Sequence, residues 1–432
     1  MNKYALLFLI VSITQTGYAT KKSDADNLKL YLQESFPGIQ ITDLGLKENY
    51  KFFWELIIQQ SLDHNDLSKG SFPQKILLYH RSFKKPNVLV TEGYNVADRI
   101  YEASLLFEAN QFSVEYRFFA NSKPEKIDWS LLNQKQALED LHVIQKKLSA
   151  IYKKAWIATG ISKGGTTTAL YSLTYPKDLK ASIAYVAPFP LAQEDARTIS
   201  HYQSKVGTPE CRMKVREFQR SILNHRIELK QLLIEMEQRD GVVFELDKDR
   251  VIDFAALEYP FSFWQWGFGC QEIPGNQANS KIVFEHIEEV IDFNYYDKTS
   301  CNEYLPAYFQ FMTEYGYYGF DTTGVSDLLI NKKLSNLEFC PKNTNLSYQG
   351  DYMKAMHEKA TYQSHNIIYI YGGVDTWTSC AVNPDPHTNA LKFVKFNGGH
   401  RTRIRDFSES DKQTMLKALK KWTGCKTKAL PY

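Results

Sequence analysis

The sequence predicts an α/β fold in which a mostly parallel sheet is interrupted by a long helical stretch. Three observations carry that prediction. Short apolar runs of strand type recur at residues 87–90, 112–119, 156–160, 181–187, 366–371 and 391–396. An amphipathic helical pattern over 131–152 joins two of them, and strand, helix, strand is the order that makes neighbouring strands parallel. Between about 189 and 365, strand alternation nearly vanishes and helical spacing takes over.

Taken in order, residues 24–35 have helical spacing and form a peripheral lead-in. Phe52, Trp54, Leu56 and Ile58 alternate with Phe53, Glu55, Ile57 and Gln59, so 50–60 reads as a strand. The turn signal Lys69-Gly-Ser-Phe-Pro73 and a second strand at 75–80 complete a hairpin. Strands at 87–90 and 112–119 follow, and Leu138, Leu141, Ile144 and Leu148 then form one stripe of the helix at 131–152. That helix leads into the strand ending at Gly160, and 181–187 is the next strand, closed by Pro188. Within the interruption, 211–237 and 281–291 are helical, while aromatics crowd 259–268 and 304–320. The sheet resumes at 366–371 and 391–396, and 411–422 is a closing helix. The predicted division is a core of 20–189 and 366–432 with a mostly helical cap at 190–365.

Lys and Arg number 52 against 49 Asp and Glu, a balance that excludes the concentrated basic surface of a nucleic-acid binder. Residues 1–19 read as a signal peptide, with Lys3, an apolar core at 4–14 and the small-x-small site Gly17-Tyr18-Ala19. That core is shorter than the roughly 20 residues needed to span a bilayer, so the chain is expected to be secreted or periplasmic without stable membrane insertion. Six cysteines and no Cys-x-x-Cys pair fit export and predict disulfides, whose pairing spacing does not reveal.

The chemistry is signalled at Gly160-Ile161-Ser162-Lys163-Gly164. Gly-x-Ser-x-Gly occurs by chance in ordinary turns, but here a strand precedes it and a helix follows, the context of a nucleophile elbow. Gly160 and Gly164 provide the room such a turn needs. On the α/β-hydrolase fold the nucleophile, acid and histidine arrive in that order on loops after strands. Asp375 follows the strand at 366–371, and His400 follows the one at 391–396. His365 and His387 precede their strands and do not fit. A serine needs a neutral imidazole to take its proton and a carboxylate to hold the tautomer, so Ser162, Asp375 and His400 form the expected triad. The expected oxyanion donors are the N–H of Lys163 and one from the loop beginning at Gly93-Tyr94, which is otherwise a plain turn. No metal or organic cofactor is required.

With these residues in hand, the chain resembles the secreted bacterial tripeptidyl aminopeptidases, a prolyl-aminopeptidase type related to prolyl carboxypeptidase and lysosomal dipeptidyl peptidase. Glu115-Tyr-Arg-Phe-Phe119 with Leu138-Glu-Asp-Leu141, Gly160-Ile-Ser-Lys-Gly-Gly165, Asp375-Thr-Trp377 and Gly398-Gly-His400 carry the resemblance. It implies a serine exopeptidase acting on peptides with free N-termini beneath a helical cap. Lys163 after the serine departs from the tyrosine of the carboxypeptidase branch, and Thr376 replaces the usual proline of the acid loop. An exopeptidase of this kind needs a carboxylate for the substrate ammonium. Glu314, which resembles an acidic position of relatives, and Glu272 are the candidates. Trp377 is expected to contact substrate, and Trp264, Trp266, Tyr317 and Tyr318 are candidate walls of an apolar pocket. Solvated acids and core aromatics are the plainer readings of these side chains. An esterase, lipase or acyltransferase on the same fold is the competing enzyme, and an inactive secreted binding protein the competing class.

Overall fold

The computed structural model describes residues 24–428; the predicted signal peptide lies outside them. Nine strands form one sheet: β1 (Gln40–Asp43), β2 (Phe52–Ser61), β3 (Ser71–His80), β4 (Asn87–Thr91), β5 (Asn110–Val114), β6 (Trp156–Ile161), β7 (Ala181–Tyr185), β8 (Ile367–Gly372) and β9 (Leu391–Lys395). Their order is β1-β2-β3-β5-β4-β6-β7-β8-β9. The first three strands and the β3–β5 pair are antiparallel, and every pair from β5–β4 to β8–β9 is parallel. A parallel sheet is covered on both faces, so its strands are buried on both sides and their residues alternate between two cores. Val88, Val90, Ile368 and Ile370 face one core with the helices Glu102–Phe107 and Glu409–Thr423. Leu89, Ile367, Tyr369 and Tyr371 face the other, with Asp24–Ser35, Gln134–Leu148 and Lys163–Thr174.

The chain leaves the sheet after β7 and returns at β8 through seven helices, from Ala196–Ser204 to Asp351–Tyr362. The last of these packs against Lys163–Thr174, on the sheet side. The helix expected over 211–237 is two, Pro209–Asn224 and Arg226–Asp240, broken at His225. The longest helix, Lys248–Trp266, was read only as an aromatic crowd. It is buried all round from Val251 to Trp264, so no polar stripe marks its period. It also contains Pro260, whose missing N–H frees the carbonyl of Ala256 four residues back. The Gln219 side chain donates to that carbonyl at 2.8 Å, which lets the helix run on through the proline.

The strand expected over 112–119 stops at Val114. Phe118 and Ala120 take positive φ of 71° and 44°, and Phe118 donates to the Ser122 carbonyl at 2.6 Å, turning the chain back. The turn delivers Arg117 to Asp140, with two N–H donors at 2.7 Å to the two carboxylate oxygens. Two of the segments that carried the resemblance, 115–119 and 138–141, therefore meet as a buried bracket. Of the cysteines, Cys211 and Cys270 form a disulfide, while Cys301, Cys340, Cys380 and Cys425 are thiols. No helix among the described residues is long and apolar enough to cross a membrane.

Candidate active site

Strand order reverses at β4: β5 lies on one side of it and β6 on the other. In open α/β sheets ligands bind at such a switch point, outside the carboxyl ends of the strands. Gly93 follows β4 and Ser162 follows β6, so both stand at that crevice. Ser162 has φ 59° and ψ −129°, a backbone conformation that side-chain-bearing residues rarely adopt, and its N–H donates to the Tyr185 carbonyl at 2.9 Å. The turn is tight enough that a Cβ at Gly160 would lie 2.2 Å from the Gly164 carbonyl oxygen. Glycine is therefore obligatory there.

Asp375 and His400 stand on the loops after β8 and β9. His400 Nδ1 and Asp375 Oδ2 are 2.7 Å apart, with Asp375 fully buried and His400 6% exposed. The second carboxylate oxygen accepts the Trp377 N–H at 3.1 Å, so the short helix that begins there fixes the acid's orientation. The histidine loop is anchored to the excursion: the His400 N–H donates to the Gln265 carbonyl at 2.7 Å, and the Trp266 ring meets the imidazole edge to face at 5.8 Å.

A cavity opens above Ser162, bounded by Tyr94, Lys163 and Pro188 on the sheet side. From the excursion come Glu258, Trp266, Tyr295, Phe311, Tyr317 and Tyr318, and Trp377 closes the wall. Phe311 and Tyr317 stack at 4.2 Å, and Phe261 and Tyr318 at 3.9 Å, so this wall is a packed aromatic layer. The structure thus brings together Ser162, Lys163, Tyr94 and Trp377 around one cavity, with Gly93 beside the elbow and the Asp375–His400 pair against Trp266.

It places the two expected ammonium partners elsewhere. Glu314 accepts the backbone N–H of Gln134 at 2.8 Å, at the start of helix Gln134–Leu148, where a carboxylate offsets unpaired N–H groups. Burial pushes its pKa up to about 7. Glu272 accepts the Gly269 N–H on a loop outside the cavity. The carboxylate on the cavity wall, alone among the described residues, is Glu258. It is buried within Lys248–Trp266 and receives the Ser262 hydroxyl at 2.5 Å and the Tyr318 hydroxyl. No cation among the described residues pairs with it, and burial pushes its pKa up to about 7. The one clue to it in the sequence is an acid, with serine four residues on, inside a run of aromatics. Asp253, on the same helix, is by contrast paired with Arg226.

The side chain of Lys163 is not solvated. It is 1% exposed, donates to the Gly93 carbonyl at 2.8 Å and lies 3.5 Å from the centre of the Tyr116 ring. Burial holds its pKa well below the ordinary lysine value, with Glu314 opposing the shift.

Comparison with known proteins bears on this arrangement. A curated relative, the prolyl tri/tetrapeptidyl aminopeptidase of Streptomyces mobaraensis, is 26% identical over 407 residues, covering 91% of this chain and 84% of that protein. Among solved structures, the proline iminopeptidase of Mycobacterium smegmatis aligns with TM-score 0.36 and 10% identity over 84% of this chain and 98% of that one. An α/β hydrolase of Novosphingobium aromaticivorans gives 0.36 and 14% over 87% and 99%. Residues 22–394, a span containing Ser162 and Asp375, match the family described as PS-10 peptidase S37, and the chain belongs to that family of serine peptidases.

Proposed function

We propose that the chain is an exported serine aminopeptidase that removes short peptides, of tripeptide size or ending in proline, from free N-termini. The observation that carries this reading is the Asp375–His400 hydrogen bond on the loops expected of an acid and a base, on the same sheet edge as the strained Ser162. In the reaction, Ser162 Oγ attacks the scissile carbonyl and His400 Nε2 takes its proton. Asp375 holds Nδ1–H and stabilises the imidazolium. The oxyanion is received by the N–H groups of Lys163 and Tyr94. His400 then protonates the leaving amine, and water, activated by the same imidazole, releases the acyl group from Ser162.

Glu258 takes over the role expected of Glu314 or Glu272. A buried carboxylate with hydroxyl donors and no cation is completed by an arriving ammonium group, and the rings of Tyr295, Tyr317 and Tyr318 beside it favour a cation. The name of the Streptomyces relative supports the exopeptidase class and the preference for short, proline-containing fragments. The basic start and apolar core of residues 1–19 support export, as does the Cys211–Cys270 disulfide. The division into a core of 20–189 and 366–432 and a cap of 190–365 is supported by the excursion between β7 and β8, although its final helix joins the sheet layer.

The test is incubation of protein beginning at Thr20 with free and N-acetylated peptides, with and without proline near the N-terminus, followed by mass spectrometry. Cleavage confined to free N-termini is expected. Fluorophosphonate labelling of Ser162 without cleavage of any peptide would keep the nucleophile and remove the peptide substrate.

A further inference from the structure

We propose that the Lys163 side chain is a positioning residue for the oxyanion site, aiming the Tyr94 N–H by holding the Gly93 carbonyl. The inference rests on Ser162 being the nucleophile. Lys163 opens helix Lys163–Thr174, so its own N–H is one of the first-turn donors that no helical carbonyl can satisfy. Its ammonium is buried, and burying an ammonium costs several kcal/mol unless something compensates it. No carboxylate hydrogen-bonds it among the described residues, and Glu314 acts on it only through space; its acceptor is the Gly93 oxygen, and the rings of Tyr116, Tyr94 and Phe119 lie around it. A methionine would fill the same space without that cost but could not donate to the Gly93 carbonyl, which is what the lysine does here.

The peptide unit makes that hold directional. The Gly93 C=O and the Tyr94 N–H belong to one planar trans amide and point in opposite directions, so fixing one fixes the other. The Tyr94 N–H has no acceptor among the described residues, and Tyr94 lines the Ser162 cavity. On its far side the loop is held by the Tyr116 N–H, which donates to the Tyr94 carbonyl at 3.0 Å. Gly93 itself is clamped, since a Cβ there would lie 2.7 Å from Lys163 Cβ. One residue thus contributes an oxyanion donor through its backbone and orients the second through its side chain.

The experiment compares Lys163→Met with the wild type on a peptide amide and on a peptide trifluoromethyl ketone, which forms a tetrahedral oxyanion with the serine. Deleting an oxyanion donor costs about 100- to 1,000-fold in kcat, so a donor left in place but misaimed should cost roughly 10- to 100-fold, with KM within about threefold. Affinity for the ketone should fall by the same factor, a correlation that a purely structural lysine would not produce. Should Lys163→Met fail to fold, Lys163→Gln, which keeps a donor on a shorter arm, gives the same pair of readings with a smaller loss. Undiminished kcat, or a kcat loss without weaker ketone binding, overturns the inference. Failure of fluorophosphonate to label wild-type Ser162 removes the nucleophile and the inference with it, whereas labelling with full Lys163→Met turnover removes the inference alone.

Discussion

Arg117 and Lys163 are both buried basic side chains, and they are held in opposite ways. Arg117 spends its donors on both oxygens of Asp140 and on the carbonyls of Ser61, Leu62 and Leu131, while His64 meets Asp140 at 2.7 Å. Around Ser162, Lys163 holds one carbonyl and Glu258 has hydroxyl donors but no cation among the described residues. The polar groups of the Arg117–Asp140 bracket are saturated, and those around Ser162 are left open for something to complete them. Loss of a group from the bracket should therefore cost stability, and loss of one from the site should cost turnover.

The sharpest separation is at the nucleophile. Ser162→Ala should lower kcat by roughly a millionfold with no change in thermal midpoint, because residues of a triad act as one unit. Retained turnover would end the assignment. Arg117→Met should do the reverse, destabilising by about 3–5 kcal/mol in urea titration through the stranded Asp140, with kcat per folded molecule unchanged. Activity lost without stability would break the comparison.

Glu258 gives the two smaller effects. In the unfolded chain it ionises at its ordinary value, near 4.5, and in the folded protein at about 7. The folded state therefore holds the extra proton between those values, and stability falls as pH rises from about 4.5, the loss being complete above about 7. Glu258→Gln removes that penalty, so it should be more stable than the wild type by on the order of 3 kcal/mol at pH 8 and equal to it below pH 4. Melting curves of the two proteins across pH test this, since other groups cancel in the difference. The same substitution should raise KM for free-amine peptides roughly 10- to 100-fold, as expected for a lost hydrogen bond to a charged group, while sparing small esters that lack the amine. An equal KM change on both substrates would place the ammonium elsewhere.

What was legible from sequence follows from how local each signal is. The elbow is a strand, a tight turn and a helix within about twenty residues, and Asp375 and His400 directly follow strands that alternation reveals. Glu258 was hidden because its helix is buried all round and interrupted in sequence by a proline whose cost Gln219, forty-one residues earlier, offsets. Glu314 looked right beside its aromatics, yet what it serves is the N-terminus of a helix 180 residues earlier. The end of β5 at Val114 was equally hidden, because the turn that stops it depends on Asp140, in a later helix. Lys163 was assigned through its backbone alone, since the rings that bury its side chain come from two other segments.

The hydrogen bond from His400 to Gln265 has a mechanical consequence. The last turn of the Lys248–Trp266 helix roofs the cavity and also carries the carbonyl that seats His400. Displacing that roof would pull on the histidine loop, so the wall over the cavity and the His400 imidazole are tied to move as one.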